Sequence, residues 1–123
     1  IINGKAALYG DGIPALLWSR GFKIREWYEN EDALENIIAH CEITRPEGDK
    51  YVFKYSAQDA RDNRLWDTRE KDSKGNPNKA PWFRFKKRMV RMRCRIWLAR
   101  DCEQVKSVFD VDLMRKTEKR GKT

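Results

Sequence analysis

Apolar and polar residues alternate over positions 36–45, which predicts a β-strand with one buried face. The apolar members of this alternation are Ile37, Ala39, Cys41 and Ile43. The segment PEGD at 46–49 has turn chemistry, and YVFKY at 51–55 has strand composition. We therefore predict that the two strands pair as a hairpin.

A third strand is predicted over residues 22–29, where aromatic and β-branched residues are again frequent. Its alternation places Phe22, Ile24 and Glu26 on one side and Arg25 and Trp27 on the other. Together with the hairpin, it completes a three-stranded antiparallel sheet. Residues 1–9 are interpreted separately, as a short strand, a turn and another short strand.

Helical signals flank the predicted sheet. Asp11 is a candidate N-cap for a helix over residues 12–20, and Gly21 is a C-terminal stop. Ser56 followed by Asp59 resembles a capping box and predicts a short helix to about residue 64. The polar, breaker-rich segment 67–80 is predicted to be a loop.

A long helix is predicted over residues 81–102, beginning at Pro81. At 100° per residue, one stripe along this helix is apolar and is predicted to face the sheet. The stripe consists of Phe85, Met89, Met92, Ile96 and Ala99. The predicted fold class is therefore α+β, a three-stranded antiparallel sheet packed with helices and followed by a long basic helix. Residues 1–113 are predicted to form the core domain of a longer chain, and 114–123 a basic mobile tail.

The charge of the chain is concentrated after the predicted sheet. The whole chain of 123 residues has a net charge of +8. From Pro81 onward there are 14 Lys and Arg against five Asp and Glu, whereas the first 80 residues contain 13 against 14. No acidic residue lies between positions 81 and 100, which contain eight Lys and Arg. This distribution favours a polyanion as the partner.

Cysteine and histidine spacing argues against a metal site. Cys41, Cys94 and Cys102 have no paired spacing, and His40 is the sole histidine. We predict reduced thiols in an intracellular protein that needs no cofactor and no metal. No apolar run is long enough to cross a bilayer and no signal-peptide pattern opens the chain, so no membrane partner is expected. The chain also lacks the glycines and the Lys-Ser/Thr of a phosphate-binding loop.

Three stretches, taken in order, resemble the RecT/Bet family of phage single-strand annealing proteins. They are INGKAALYGDGIPALLWSRGF (2–22), YSAQDARDNRLW (55–66) and APWFRFKKRMVRMRCRIWLARD (80–101). The resemblance implies a protein that binds single-stranded DNA, forms rings or helical filaments, and anneals complementary strands without ATP. It also implies DNA recombination and repair in the cytoplasm of a bacterial or phage-infected cell, with an exonuclease and a host single-strand-binding protein as partners.

The same resemblance assigns DNA contacts on the basic helix. It places them at Lys87, Arg93 and Arg100, and Arg88 and Arg91 match further basic positions of the motif. We add Lys86, which shares one flank of the helix with Arg93 and Arg100, and we add Trp82, which like Trp66 and Trp97 is a ring that could stack on bases. The family often has Tyr-Pro where this chain has Phe85-Lys86, so the start of the helix is a place where the two can differ.

Three other functions remain open from the sequence. A helix, three strands and a helix are also the order of a double-stranded-RNA binding module, which would bind duplex RNA or DNA without annealing. A metal-dependent nuclease would need a carboxylate cluster, for which Asp59, Asp62, Asp67 and Glu70 are the candidates. A structural protein could instead dock its basic helix on an acidic partner.

Overall fold

The structure is a computed structural model that describes residues 12–105. Its helices are α1 (Ile13–Ser19), α2 (Ala57–Asp62), α3 (Pro81–Arg84) and α4 (Lys86–Asp101), and a 3₁₀ turn spans Leu34–Asn36. Its strands are β1 (Lys23–Glu29), β2 (Ile38–Thr44) and β3 (Lys50–Ser56). The predicted strand pair at 1–9, the predicted cap Asp11 and the predicted tail 114–123 lie outside the described residues. Between residues 12 and 105, no helix is both long and apolar enough to cross a membrane.

The three strands form one antiparallel sheet in the order β1-β2-β3, which confirms the predicted α+β fold class. Glu26 of β1 lies opposite Cys41 of β2, which in turn lies opposite Phe53 of β3. Ile37, Ala39, Cys41 and Ile43 are all buried, as their alternation predicted. A shift of one residue in register would expose this whole set, so burial of one face fixes the pairing.

Helices α1 and α4 cover the same face of the sheet. Helix α1 packs on β1, α4 packs on β2 and β3, and the two helices also contact each other. Their buried residues Ile13, Leu17, Val90, Cys94 and Leu98 share one core with the sheet. Lys23, Arg25, Lys50 and Lys54 point to the opposite face of the sheet and are exposed.

Two predicted helix boundaries agree closely with the structure. The Ser56 hydroxyl accepts a hydrogen bond from the Asp59 amide, and the Asp59 carboxylate accepts one from the Ser56 amide, each within 3.0 Å. This is the predicted capping box at the start of α2. Helix α1 begins at Ile13 with Gly12 at the N-cap, one residue later than predicted. It is followed by Gly21 at φ +84°, a left-handed conformation that favours glycine.

The predicted continuous helix over 81–102 is wrong at one point, because Phe85 interrupts it. Phe85 has φ −130° and ψ 49°, and it separates the single turn of α3 from the 16 residues of α4. The interruption removes the amide partner that the Phe83 carbonyl would have in a continuous helix. The Lys86 ammonium takes its place and donates to that carbonyl at 2.9 Å.

The prediction of which face of α4 packs on the sheet is also wrong. Val90, Cys94 and Leu98 pack into the core, and of the predicted stripe only Ala99 is buried. Phe85 is 47% exposed, and Met89, Met92 and Ile96 are partly exposed. Apolar residues occur on both sides of this helix, so periodicity alone does not select one. The sheet already contributes large rings such as Tyr55 and Phe53, which leave room for the smaller side chains of the opposite stripe.

The segment 67–80 is a loop, as predicted, and polar side chains hold it in shape. Residues Lys71 and Pro77 form an isolated β-bridge within it. The side-chain amide of buried Asn78 donates to the Asp67 carboxylate at 3.0 Å and to the Arg69 carbonyl at 2.7 Å. Arg69 donates to Asp67 through both its backbone amide and its guanidinium at 3.0 Å. Asp67 and Asn78 therefore tie the two ends of the loop together.

We expect Asp67→Asn to loosen this loop and to speed trypsin cleavage at its basic residues, which include Arg69 and Lys71. The hydrogen bonds from Arg69 and Asn78 hold the pKa of Asp67 well below its usual value. The ionised carboxylate therefore contributes stability above the usual pKa near 3.9, and this is lost as the pH falls through the lower folded value. Asp62→Asn, at the exposed end of α2, is the control, and equal cleavage of both variants would contradict the role of Asp67.

Candidate nucleic-acid interface

The basic residues of positions 81–100 fall into distinct environments. Arg95 is the buried one, at 6% exposure. Its Nε donates to Glu26 Oε2 at 2.6 Å and its Nη2 to Glu26 Oε1 at 2.7 Å. Glu26 lies on the same side of β1 as Ile24, as predicted, and this side faces the core, so the forked ion pair fastens α4 to the sheet. Arg95 is therefore a structural residue.

Lys87 and Lys86 are each held by neighbouring side chains. The Lys87 Nζ lies 2.5 Å from Glu31 Oε2 and 4.8 Å from the centroid of the Tyr28 ring. The hydrogen bond to Glu31 raises the pKa of Lys87. The Lys86 Nζ lies 5.5 Å from the centroid of the Trp66 ring, in addition to its bond with the Phe83 carbonyl. Glu31 thus already compensates part of the charge of Lys87, whereas the neighbours of Lys86 are an aromatic ring and a carbonyl group.

A cleft lies beside the N-terminal half of α4, next to Tyr28 of β1 and Leu34 of the 3₁₀ turn. It has a volume of about 470 Å³, within the range usual for ligand sites. Its apolar part comes from Tyr28, Leu34 and Phe85. Five cations border it, and they are Arg84, Lys86, Lys87, Arg88 and Arg91. The combination of apolar walls and several cations suits a ligand that has both flat apolar groups and negative charge.

Three of these cations have no acidic partner among residues 12–105. In the described part of the chain, Arg84, Arg88 and Arg91 form no ion pair with an Asp or Glu, in contrast to Lys87 and Arg95. The Nε of Arg91 is buried and meets no acceptor within residues 12–105. The Nε of Arg93, which does not line the cleft, is buried without such an acceptor in the same way, so this feature does not single out the cleft. Burial raises the pKa of Tyr28, although the nearby Arg91 and Lys87 act in the opposite direction.

The structure brings together four of the seven residues predicted to bind DNA. Lys86, Lys87, Arg88 and Arg91 line the cleft. Arg93 and Arg100 do not line it, and Arg100 is exposed near the C-terminal end of α4. Trp82 packs partly buried against the core. The DNA contacts at all seven positions remain predictions.

The tryptophans considered for base stacking are engaged in other contacts. Trp97 meets Tyr55 edge-to-face, with ring centroids 5.0 Å apart. Trp66 lies beneath the Arg61 guanidinium at 4.9 Å, besides its contact with Lys86. The exposed ring next to the cations is Phe85, which the sequence placed in the core.

Four residues of the cleft are not part of the site predicted from the sequence. Tyr28 continues the alternation of Ile24 and Glu26, so the pattern predicts that it lies on the same side of β1 as these two residues. Arg84 precedes Arg88 by four residues, a spacing that could have marked it. Leu34 and Phe85 carry no comparable signal, because one lies in a turn and the other at a helix interruption.

The acidic residues considered for a nuclease do not converge on a metal site. Asp59 belongs to the capping box, and Asp67 is bonded to Arg69 and Asn78. Among residues 12–105, no group of three or more His, Cys, Asp and Glu side chains is placed to hold a metal ion. His40 lies on the open face of the sheet, stacked on Trp27 and hydrogen-bonded to Glu29.

We expect Glu31→Gln to tighten binding of single-stranded DNA by roughly twofold to fivefold, the size of one exposed ion pair. The substitution frees Lys87 for a phosphate and removes a negative charge from the edge of the cleft. Fluorescence anisotropy with a labelled oligonucleotide measures the change. Glu47→Gln is the matched control, because Glu47 pairs with Arg45 outside the cleft. Weaker binding by Glu31→Gln would show that Glu31 is not a competitor of the DNA.

Comparisons with models of protein families, with curated proteins and with solved structures found no match for this chain.

Proposed function

We propose that this protein binds single-stranded DNA and anneals complementary strands without ATP. The observation that carries the proposal is the cleft at the start of α4, where five cations converge and Arg84, Arg88 and Arg91 have no acidic partner among the described residues. The resemblance of the ordered sequence motifs to RecT/Bet annealing proteins supports the same function.

The physical basis of annealing requires no bond chemistry. Two DNA strands repel each other through their phosphates, and a cationic surface that neutralises one strand lowers this repulsion. Contacts to phosphate oxygens hold the strand without reading its sequence, which leaves most bases available for a second strand. Association of many copies into a ring or filament would add their individual contacts into tight binding along one strand.

Annealing of two complementary oligonucleotides, one of them labelled with a fluorophore and the other with a quencher, tests the proposal. The protein is expected to speed annealing at low salt with neither nucleotide nor metal present, and to lose this effect as salt is raised. An annealing rate equal to that without protein would refute the function. Binding alone should show a slope of about −0.7 in log affinity against log salt for each phosphate contact.

A second candidate function is favoured by the order of the elements. Helix α1 is followed by the strands β1 to β3 and, after α2 and α3, by helix α4, and α1 and α4 lie on one face of the sheet. That order also suits a module that binds duplex RNA or DNA by its shape. Competition between single-stranded DNA and duplex RNA, combined with measurement of particle size, separates the two. The duplex module would prefer duplex RNA and remain a monomer.

A further inference from the structure

The interruption between α3 and α4 places an aromatic ring at the cleft. Phe85 is 47% exposed and lines the cleft with Tyr28 and Leu34. In a helix that continued through residue 85 and packed by this stripe, the ring would be buried against the sheet. The core instead uses the opposite stripe of α4, so the Phe85 ring is left at the surface beside the cations.

Positively charged side chains line the cleft beside this ring. The Arg84 guanidinium lies 5.2 Å from the centroid of the Phe85 ring, and Arg88 lines the same cleft one turn further along the chain. Phosphate alone gains nothing from an exposed phenyl ring or from Leu34, which is 39% exposed. A nucleotide presents a flat base and a phosphate within one unit, and this cleft offers a partner to each.

We propose that the cleft receives one nucleobase of the bound strand, stacked on Phe85, while Arg84 and Arg88 contact the adjoining phosphates. This inference rests on the proposed binding of single-stranded DNA and names what occupies the cleft. Every base has a flat face, so the contact tolerates any sequence. The occupied cleft anchors the strand at one base in each chain and leaves the neighbouring bases for pairing.

The test compares a normal single-stranded oligonucleotide with an abasic one of equal length, using fluorescence anisotropy. An abasic strand retains the phosphates and lacks the bases, so it separates stacking from charge. Wild-type protein is expected to bind the normal strand more tightly than the abasic strand. Phe85→Ala should lose about 5- to 100-fold on the normal strand, the range of one base–aromatic stack, and little on the abasic strand.

Two further variants serve as controls. Phe85→Trp keeps a stacking surface and is expected to bind the normal strand at least as well as the wild type. Trp18→Ala removes an aromatic ring that is 70% exposed and outside the cleft, and it should leave both affinities unchanged. Circular dichroism confirms that each variant is folded.

The possible outcomes separate base stacking on Phe85 from the proposed binding of single-stranded DNA. Equal losses by Phe85→Ala on both strands, or no loss at all, would overturn base stacking while leaving strand binding intact. Equal binding of the normal and abasic strands by the wild type would also overturn it. No binding of either strand by the wild type would overturn the proposed function and the inference together.

Discussion

Glu26→Ala is expected to destabilise the protein by about 3–5 kcal/mol, because it breaks the forked ion pair of the buried Arg95 guanidinium. Arg95 is 6% exposed, and its fork to Glu26 joins α4 to β1. A loss of this size is a large fraction of the stability of an ordinary domain. Urea unfolding followed by circular dichroism measures it.

Glu42→Ala is the matched control for that substitution. Glu42 lies in β2, in register with Arg25, on the open face of the sheet and not in the core. Its replacement is expected to cost less than about 1 kcal/mol, as surface ion pairs and surface charges usually do. Similar losses for Glu42→Ala and Glu26→Ala would contradict a special cost of breaking the Glu26–Arg95 pair.

A double variant separates the cost of a broken pair from the contribution of the intact pair. Glu26→Leu combined with Arg95→Leu removes both charges, and it should recover most of the stability that Glu26→Ala loses. If the double variant is as unstable as the single one, the loss comes from packing and not from the broken ion pair.

Arg88→Ala combined with Arg91→Ala is expected to weaken binding of single-stranded DNA by about 100-fold at low salt, from roughly tenfold for each charge-assisted contact. Both residues line the cleft and neither has an acidic partner among the described residues. The slope of log affinity against log salt should become shallower by about 1.4, since two phosphate contacts are lost. Anisotropy titrations at several salt concentrations measure both quantities.

Lys50→Ala combined with Lys54→Ala is the control for net charge. It removes the same two positive charges from exposed positions on the face of the sheet opposite to α4. This control is expected to change the affinity by less than about threefold at moderate salt, because charges more than a Debye length from the ligand are largely screened. Equal weakening by both double variants would mean that the overall charge binds the DNA and the cleft does not.

The sheet was predictable from the sequence because a single physical rule determines it. Strict alternation over 36–45 leaves one way to bury Ala39, Cys41 and Ile43, and the turn at 46–49 then sets the pairing with β3. The capping box at Ser56 and Asp59 was predictable for a similar reason, since its two hydrogen bonds join residues three positions apart. Local spacing is sufficient for features of this kind.

The packing of α4 was not predictable in the same way. Met89 and Met92 on one side and Val90 and Cys94 on the other are both compatible with a buried stripe. The choice depends on the volume that the sheet leaves free, which depends on residues such as Tyr55 far away in the sequence. Because the core uses the stripe that contains Val90 and Cys94, Phe85 is exposed and not buried as predicted.

Charge in the sequence likewise indicates a partner without naming it. Arg88 and Arg95 are the same type of residue. Arg88 is exposed at the cleft, whereas Arg95 is buried and paired with Glu26, 69 residues earlier in the chain. Lys87 matches the family motif, and it is paired with Glu31 in the structure. Long-range pairing of this kind arises only when the sheet brings β1 beside α4.

Because the three natural cysteines are buried, a fluorophore can be attached selectively at the cleft. Cys41, Cys94 and Cys102 are free thiols at the edge or in the interior of the core. The pKa of Cys41 is raised by its hydrogen bond with Cys94 and by burial, and burial raises that of Cys102. Burial shields all three thiols from maleimides in the folded protein, and the raised pKa of Cys41 and Cys102 slows their reaction further, because the thiolate is the reactive form. A single cysteine introduced at Leu34 would then accept a fluorophore selectively, with all three natural thiols left in place.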